Sequence, residues 1–519
     1  MAAIAGKADL MLHEGVVVGH PESDSVAISG GQILALGNFA DLKSMVGPRT
    51  HLIKLAGRAV APGFIDSHLH FLEAAAAATG LSVQRCRSVG DLLADLRVAA
   101  GKTPPGNWLR AFGCDEALMY ERRGPTRAEL DQALPKNPLR LRHQTLHATW
   151  LNSRAINLLG LEAPNFAPPE GAQLFRDGAG KLTGLVVGME TWVTQHLPLV
   201  TRSELESRAR VMSRELSAAG VTTFTDATTR NGSAEFELFA KLVQANAITQ
   251  RVGVMAGAQH LDSIDHCAKV AHAAGIALAG VKFMPGYPYD RAGLSRPVRL
   301  ALTRGLDCAF HVTEVEELEE TLAALELARP QIPGDRAMPN LRIEHGGMIP
   351  PDYVDRLAAL DAWVVTNPGF IHFRGPKYAE EPGLIPYLYR ARSLKDAGIK
   401  LAGATDAPVT PARPFAAIAA AISRTTVDGA EMGVAEALAP IDAFALFTTE
   451  AARLAGLDTG AIEPDYLADL IVLPRDPLAL PPADLMNISV DITIVAGKVV
   501  YERGRPAVAS SDSADLHSG

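Results

Sequence analysis

Between residues 64 and 406 the chain alternates short runs of β-branched and apolar residues with longer stretches of helical character, and this alternation limits its fold more than any other feature. The runs are Phe64–His70, Val221–Asp226, Arg251–Ala256, Gly280–Met284, Cys308–Thr313, Arg342–Gly346, Trp363–Asn367 and Lys400–Asp406. Helical patterns separate most of them, among them Glu204–Gly220, which closes on a glycine, and Glu314–Arg329. Apolar strands alternating with helices build parallel sheets, and eight such units close as a (β/α)8 barrel, a TIM-like α/β fold. The long stretch between the first two runs exceeds a simple crossover. It carries Pro- and Gly-rich turns and apolar runs at Trp108–Phe112 and Leu139–Leu141, and it predicts a lid-like insertion over about residues 80–205.

Both ends of the chain have β character without helical spacing. Gly15–Val18, Ser25–Ser29 and Gly31–Leu36 read as strands, as do Ala468–Leu473 and the run Ile492–Val500. Residues 1–62 and 455–508 are therefore expected to form one discontinuous β-sandwich around a barrel of residues 63–454, with a disordered Ser/Asp-rich tail at 509–519. The formal charge of −9 argues against nucleic acid or an anionic membrane as partner, since both require a basic footprint. No apolar run approaches the roughly 18 residues of a membrane span. Four scattered cysteines without CxxC spacing fit free thiols in a reducing compartment, and with no evident signal peptide a cytoplasmic location is the expectation.

The candidate chemistry sits at the C-terminal ends of the runs, where barrel enzymes place their active sites. His68 and His70, two apart at the end of the first, would face the same side of a strand. Lys282 follows in GVKFMPGYP, His311 in CAFHVTE, His345 in LRIEHGG and Asp406 in LAGATDAP. Each alone has an ordinary structural explanation, and it is their conjunction at five strand ends that points to metal. Imidazole and carboxylate suit zinc and similar ions. Two ions held close together need a bridging anion, which a lysine that has reacted with CO2 supplies as a carbamate. Lys282 must be carboxylated, deprotonated or turned away, because an ammonium group would repel the ions. Asp406 could carry a proton from attacking water to a leaving nitrogen.

With PGFIDSHLHF, TLHATWLNSRAI, VTTFTDA, RIEH, TDAPVTPARPF and EPDYLADLIVLPRDPL on the chain, residues from about 8 to 504 resemble the amidohydrolase superfamily, and within it the amidohydrolase family 3 branch. The resemblance implies that His68, His70 and Asp406 hold one zinc-like ion, that His311 and His345 hold a second, and that Lys282 bridges them as N6-carboxylysine. It further implies hydrolysis of a C–N amide, carbamate or N-acyl bond in a small-molecule substrate. One departure is His311-Val312-Thr313-Glu314, where many branch members carry Ile-Gly-Asp after the histidine. His-x-x-Glu resembles metal-dependent deaminases of heterocyclic amines. Glu314 also opens an acidic run that would favour a helix N-terminus. Deamination and a non-catalytic scaffold on the same fold stand as alternatives, and homo-oligomer formation is left open.

Further residues are assigned to the substrate pocket. His147 could bind a substrate carbonyl from the insertion, Tyr287 and Tyr289 follow Lys282, and Phe370, His372 and Phe373 follow the seventh run. Arg374 and Lys377 could meet an anionic group, although solvation explains them as well. Glu190 in GLVVGMETW could likewise approach the site, although a helix-surface carboxylate is the more ordinary reading.

Overall fold

The computed structural model describes residues 6–198, 200–286, 291–332 and 338–505. Tyr287, Tyr289 and the expected tail lie outside the described residues. Eight parallel strands follow one another around the centre: β1 Phe64–Leu69, β2 Val221–Asp226, β3 Arg251–Gly257, β4 Ala277–Phe283, β5 Cys308–Val312, β6 Leu341–His345, β7 Trp363–Thr366 and β8 Lys400–Gly403. β1, β2, β6 and β7 are buried along their whole length, as strands covered on both faces are.

The TIM-like barrel closes through the residues that carry its candidate chemistry. Asp406 N–H donates to His68 O (2.9 Å) and His70 N–H to Ala407 O (2.8 Å). Deeper in the seam Ile65 N–H donates to Phe447 O and Gly403 N–H to Leu446 O, so a later segment completes the gap between β1 and β8. The expected strand Lys400–Asp406 stops at Gly403 because Thr405 turns aside, donating its N–H (3.0 Å) and hydroxyl (2.5 Å) to the buried carboxylate of Asp66. β4 begins three residues before the expected Gly280. The glycine bends within the strand at φ +116°, where an added Cβ would lie 2.5 Å from Asp307 O, so the residue expected to open the strand is an internal kink.

Strands from both chain ends share one sheet, in the order Val16–Val17, Ala59–Pro62, Leu470–Leu473, Ile492–Val495, Lys498–Glu502. It packs on the four-stranded sheet Gln32–Gly37, Ser25–Ser29, Leu10–His13, His51–Lys54 through a common core of Leu12, Ile28, Val60, Leu470 and Ile494. The run Ile492–Val500 is two strands rather than one. Ala496 (φ 49°) and Gly497 (φ 72°) form the two-residue turn of a hairpin in which Val495 pairs with Lys498. An alanine in this left-handed turn is strained, so only Gly497 marks the turn in the sequence. Ala496→Gly is expected to stabilise the protein by up to about 1 kcal/mol, read as a raised thermal midpoint.

The insertion is more than a lid. It contains a six-stranded mixed sheet, in the order Gln173–Arg176, Leu182–Val187, Ala148–Leu151, Leu139–His143, Leu109–Cys114, Leu81–Ser82. Apolar clusters of its own, one around Leu92, Leu130 and Leu141 and another around Ile156 and Val193, support it. Among the described residues no helix is long and apolar enough to cross a membrane.

Candidate active site

The barrel brings His68, His70, Lys282, His311, His345 and Asp406 to one cavity of about 590 Å³. His70 lies just past β1, at the start of the helix Phe71–Thr79, yet both histidines reach the same oxygen: Asp406 Oδ1 is 3.6 Å from His68 Nε2 and 3.1 Å from His70 Nε2. On the other side His345 Nε2 stands 3.0 Å from His311 Nδ1. His345 (φ 71°) and Asp406 (φ 58°) both hold left-handed backbone. Such strain in residues with a Cβ concentrates at functional sites.

Partners behind the imidazoles fix which nitrogens are free. Glu344, fully buried, accepts from His68 Nδ1 at 2.5 Å, so the lone pair of His68 lies on Nε2. Asn367 spends its amide N–H on Ala404 O, leaving its Oδ1 to accept from His345 Nδ1 (2.8 Å), so His345 likewise presents Nε2. His70 Nδ1 contacts the Thr228 hydroxyl at 3.0 Å. Polar partners of this kind orient metal-binding histidines. Arg342 completes the layer, donating to both oxygens of Glu344 (2.7 and 3.3 Å) and to Ser67 O.

Several inward atoms then lack partners: His68 Nε2, Asp406 Oδ1 and Lys282 Nζ are buried without a hydrogen bond. Burial, reinforced by neighbouring cationic groups, holds His68 and His311 well below the usual imidazole range and also lowers His345. Burial opposes ionisation of Asp406, but the surrounding imidazoles outweigh it and hold the carboxyl below its ordinary range. Lys282 is pushed down to about 8 by burial, against the pull of Glu344 and Asp406. Neutral imidazoles, an ionised carboxylate and a readily deprotonated amine form a donor set suited to divalent cations, and orphaned buried atoms are what such a cation would satisfy.

A second cluster, Asp115, Glu116 and His143, also has three groups close enough to share an ion. Thr145 N–H donates to His143 Nδ1 (3.0 Å), which leaves the ring hydrogen on Nε2, facing Glu116 Oε2 at 3.2 Å. Arg374 supplies the positive charge, 3.8 Å from Asp115. These contacts tie the insertion to the helix Gly369–Tyr378.

That helix separates the expected pocket residues. Phe370 and Arg374 line the cavity with Lys377 and Tyr378, the i, i+4, i+7, i+8 face of one helix. His372 is on another face, its Nδ1 2.9 Å from Thr425 O, and its assignment to the pocket is corrected. Glu190 is a cavity residue rather than a surface carboxylate, half-buried with its carboxyl pushed up by burial. His147 lines the cavity from the insertion. Glu314 sits exposed at the rim, just before the helix Val315–Ala328, where Glu317 Oε2 accepts the N–H groups of Thr313 and Glu314; the helix N-terminus accounts for this acidic run.

Glu344, Asn367 and Tyr389 escaped the sequence reading. Glu344 left a trace as a charged residue inside an apolar strand. Tyr389 left none. Its backbone (φ 47°) is held by Arg424, whose guanidinium donates to the carbonyls of Leu388, Tyr389 and Met432 from a fully buried position. The Tyr389 ring packs edge-on against Phe370 and its hydroxyl meets that of Tyr378 at 3.1 Å.

The amidohydrolase family model matches residues 51–501. The N-substituted formamide deformylase of Arthrobacter pascens is 26% identical over 522 residues, covering 93% of this chain and 95% of its own. The putative amidohydrolase YtcJ of Bacillus subtilis (strain 168) is 24% identical, with 95% and 98% covered. Among solved structures, an uncharacterized metal-dependent hydrolase from Pyrococcus horikoshii OT3 superposes with a TM-score of 0.70 at 21% identity, covering 91% of this chain and 99% of its own, a likeness of fold.

Proposed function

The chain belongs to the amidohydrolase family, and from that premise we propose that it is a metal-dependent hydrolase cleaving a C–N amide, carbamate or N-acyl bond of a small molecule. The observation that carries this reading is the convergence of His68 Nε2 and His70 Nε2 on Asp406 Oδ1, beside the unpartnered Lys282 amine. The full-length similarity to an N-substituted formamide deformylase supports an amide-type substrate.

His68, His70 and Asp406 would hold one divalent ion, with zinc the choice their chemistry favours. His311 and His345 would hold a second, and Lys282, as its N6-carboxylate, would lie between them. Ions bound there supply Lewis acidity and acidify water. Asp406 takes the proton as water adds to the acyl carbon and delivers it to the departing nitrogen, so that one C–O bond forms, the C–N bond breaks, and an amine leaves together with a carboxylate (or, from a carbamate, a carbonate monoester that breaks down to alcohol and CO2). Glu344 and Asn367 keep His68 and His345 in the orientation that presents Nε2. Phe370, Met348, Leu384 and Leu388 form the apolar side of the cavity and exclude bulk water from the reacting bond.

The test is turnover of N-formyl amines, N-acyl amino acids, anilides and carbamates by protein loaded with zinc or manganese in bicarbonate. The expected outcome is paired release of amine and acid, with about two ions per chain by elemental mass spectrometry. Release of ammonia from aminopurines or aminopyrimidines, with no cleavage of the amides, would replace hydrolysis by deamination.

A further inference from the structure

One wall of the cavity is apolar but for two phenols. Tyr378 and Tyr389 stand there among Phe370, Met348, Leu384 and Leu388. The Phe370 ring stacks on His345 with centroids 6.3 Å apart and packs against Tyr389 at 5.6 Å, so this phenol lies one ring outward from a candidate metal ligand. The two hydroxyls, 3.1 Å apart, share one hydrogen bond. It uses one of their two hydrogens, and among the described residues no acceptor meets the other. Burial pushes both phenols up, Tyr389 well up, so both hydrogens are present at neutral pH. Arg374, which can only donate, acts on the Tyr378 hydroxyl. A guanidinium at that oxygen favours Tyr378 as the donor to Tyr389, and the O–H of Tyr389 is then the one left over. A buried O–H without an acceptor is costly.

The backbone supports the same residue. Tyr389 holds left-handed φ, rare for a large side chain, and the fully buried Arg424 guanidinium fixes it through the carbonyls of Leu388 and Tyr389. Strain kept in this way concentrates at functional positions.

Charge at this end of the cavity does not call for an anion. Arg374 faces Asp115 at 3.8 Å. At the mouth Lys377 is accompanied by Glu314, Glu380 and Glu381, of which Glu380 pairs with Arg122. Asp406 also acts on Tyr389 from the metal side. Carboxylates outnumber cations, so the spare donor is matched by an uncharged acceptor. We infer that the Tyr389 hydroxyl donates to a neutral carbonyl oxygen on the non-reacting arm of the substrate, whose apolar body lies along Phe370, Met348, Leu384 and Leu388. The substrate class is thus an amide or carbamate with an apolar arm that carries a second, uncharged carbonyl. This inference rests on the C–N hydrolase reading for the bond that reacts, but not for the acceptor subsite itself.

The probes are 5-(4-acetylphenyl)pentan-2-one and its 3-acetyl isomer, titrated calorimetrically into the metal-loaded protein beside their isopropyl counterparts. Each is the analogue of an N-(2-arylethyl)acetamide in which CH2 replaces the scissile N–H. Isopropyl matches acetyl in shape and is the more apolar, so tighter binding of acetyl requires a donor. One acetyl isomer is expected to bind about fivefold or more tightly than its counterpart. In Tyr389→Phe the pair should bind within about twofold of each other, and in Tyr378→Phe the preference should remain. The ratio within a pair is read, so a general loosening of the wall cancels. Isopropyl binding as tightly as both acetyl isomers in the native protein overturns the proposal. So does a preference that survives Tyr389→Phe, which would place the acetyl group on the metal ions or on Arg374, and so does loss of preference in Tyr378→Phe alone. Tighter binding of 4-(4-oxopentyl)benzoate than of either acetyl isomer overturns the neutral acceptor. Turnover of the matching N-(2-arylethyl)acetamides separates the two readings. An acetyl preference with no cleavage of any of them rejects C–N hydrolysis and leaves the subsite, whereas cleavage without the preference rejects the subsite and leaves the hydrolase.

Discussion

Asp406→Asn is expected to lower kcat/KM of the metal-loaded protein by at least about a thousandfold while leaving it folded. The carboxylate has two tasks at once, facing both His68 and His70 and holding the transferred proton, and an amide performs neither. The fold should tolerate the change. Asn adopts left-handed backbone as readily as Asp, and the seam bond from residue 406 to His68 O uses the main-chain N–H. Elemental mass spectrometry on the same preparation divides the two tasks. Loss of ions along with activity assigns the effect to metal binding. Full metal content with activity gone assigns it to proton transfer, and activity within tenfold of the native protein at full metal content removes Asp406 from that role.

What the sequence discloses about this protein follows from which interactions are local. Barrel strands such as Trp363–Thr366 are legible because burial on both faces favours a nearly unbroken apolar run. The candidate ligands are legible because barrels expose their C-terminal strand ends in order. The insertion sheet is far less so. Its strands are short, Leu81–Ser82 has only two residues, and Gln173–Arg176 is largely exposed, so little periodicity is left to read. His372 shows a related difficulty: two residues from Phe370 would share its face on a strand, and on the helix that forms there they part. Tyr389 lies beyond sequence reasoning altogether, because its place depends on Arg424, a partner thirty-five positions away. Ala496 is the converse case, a residue in a turn that its side chain disfavours, held by main-chain donation to Asp469, which also pairs with Arg251 of β3.

Glu344 offers the sharpest separation of stability from metal binding. Its carboxylate is fully buried between Arg342, itself buried, and His68 Nδ1. Glu344→Leu removes the counter-ion of Arg342 and leaves a guanidinium in the barrel core with Ser67 O as its remaining acceptor. Breaking a buried pair from one side costs about 3–5 kcal/mol, and the urea midpoint should fall accordingly. Glu344→Gln keeps the shape and one carbonyl acceptor, so its fold should lose less. Even so, the amide is a weaker acceptor for His68 Nδ1–H and can also turn its NH2 toward the ring, loosening the orientation that presents Nε2. Metal affinity in this variant is expected to drop about 10–100-fold, measured by competition with a chelator of known affinity. Native affinity in Glu344→Gln would show that Arg342 and the barrel wall orient His68 without the carboxylate charge. A Gln variant as unstable as the Leu variant would show that the charge itself, rather than the hydrogen bonds, holds this layer together.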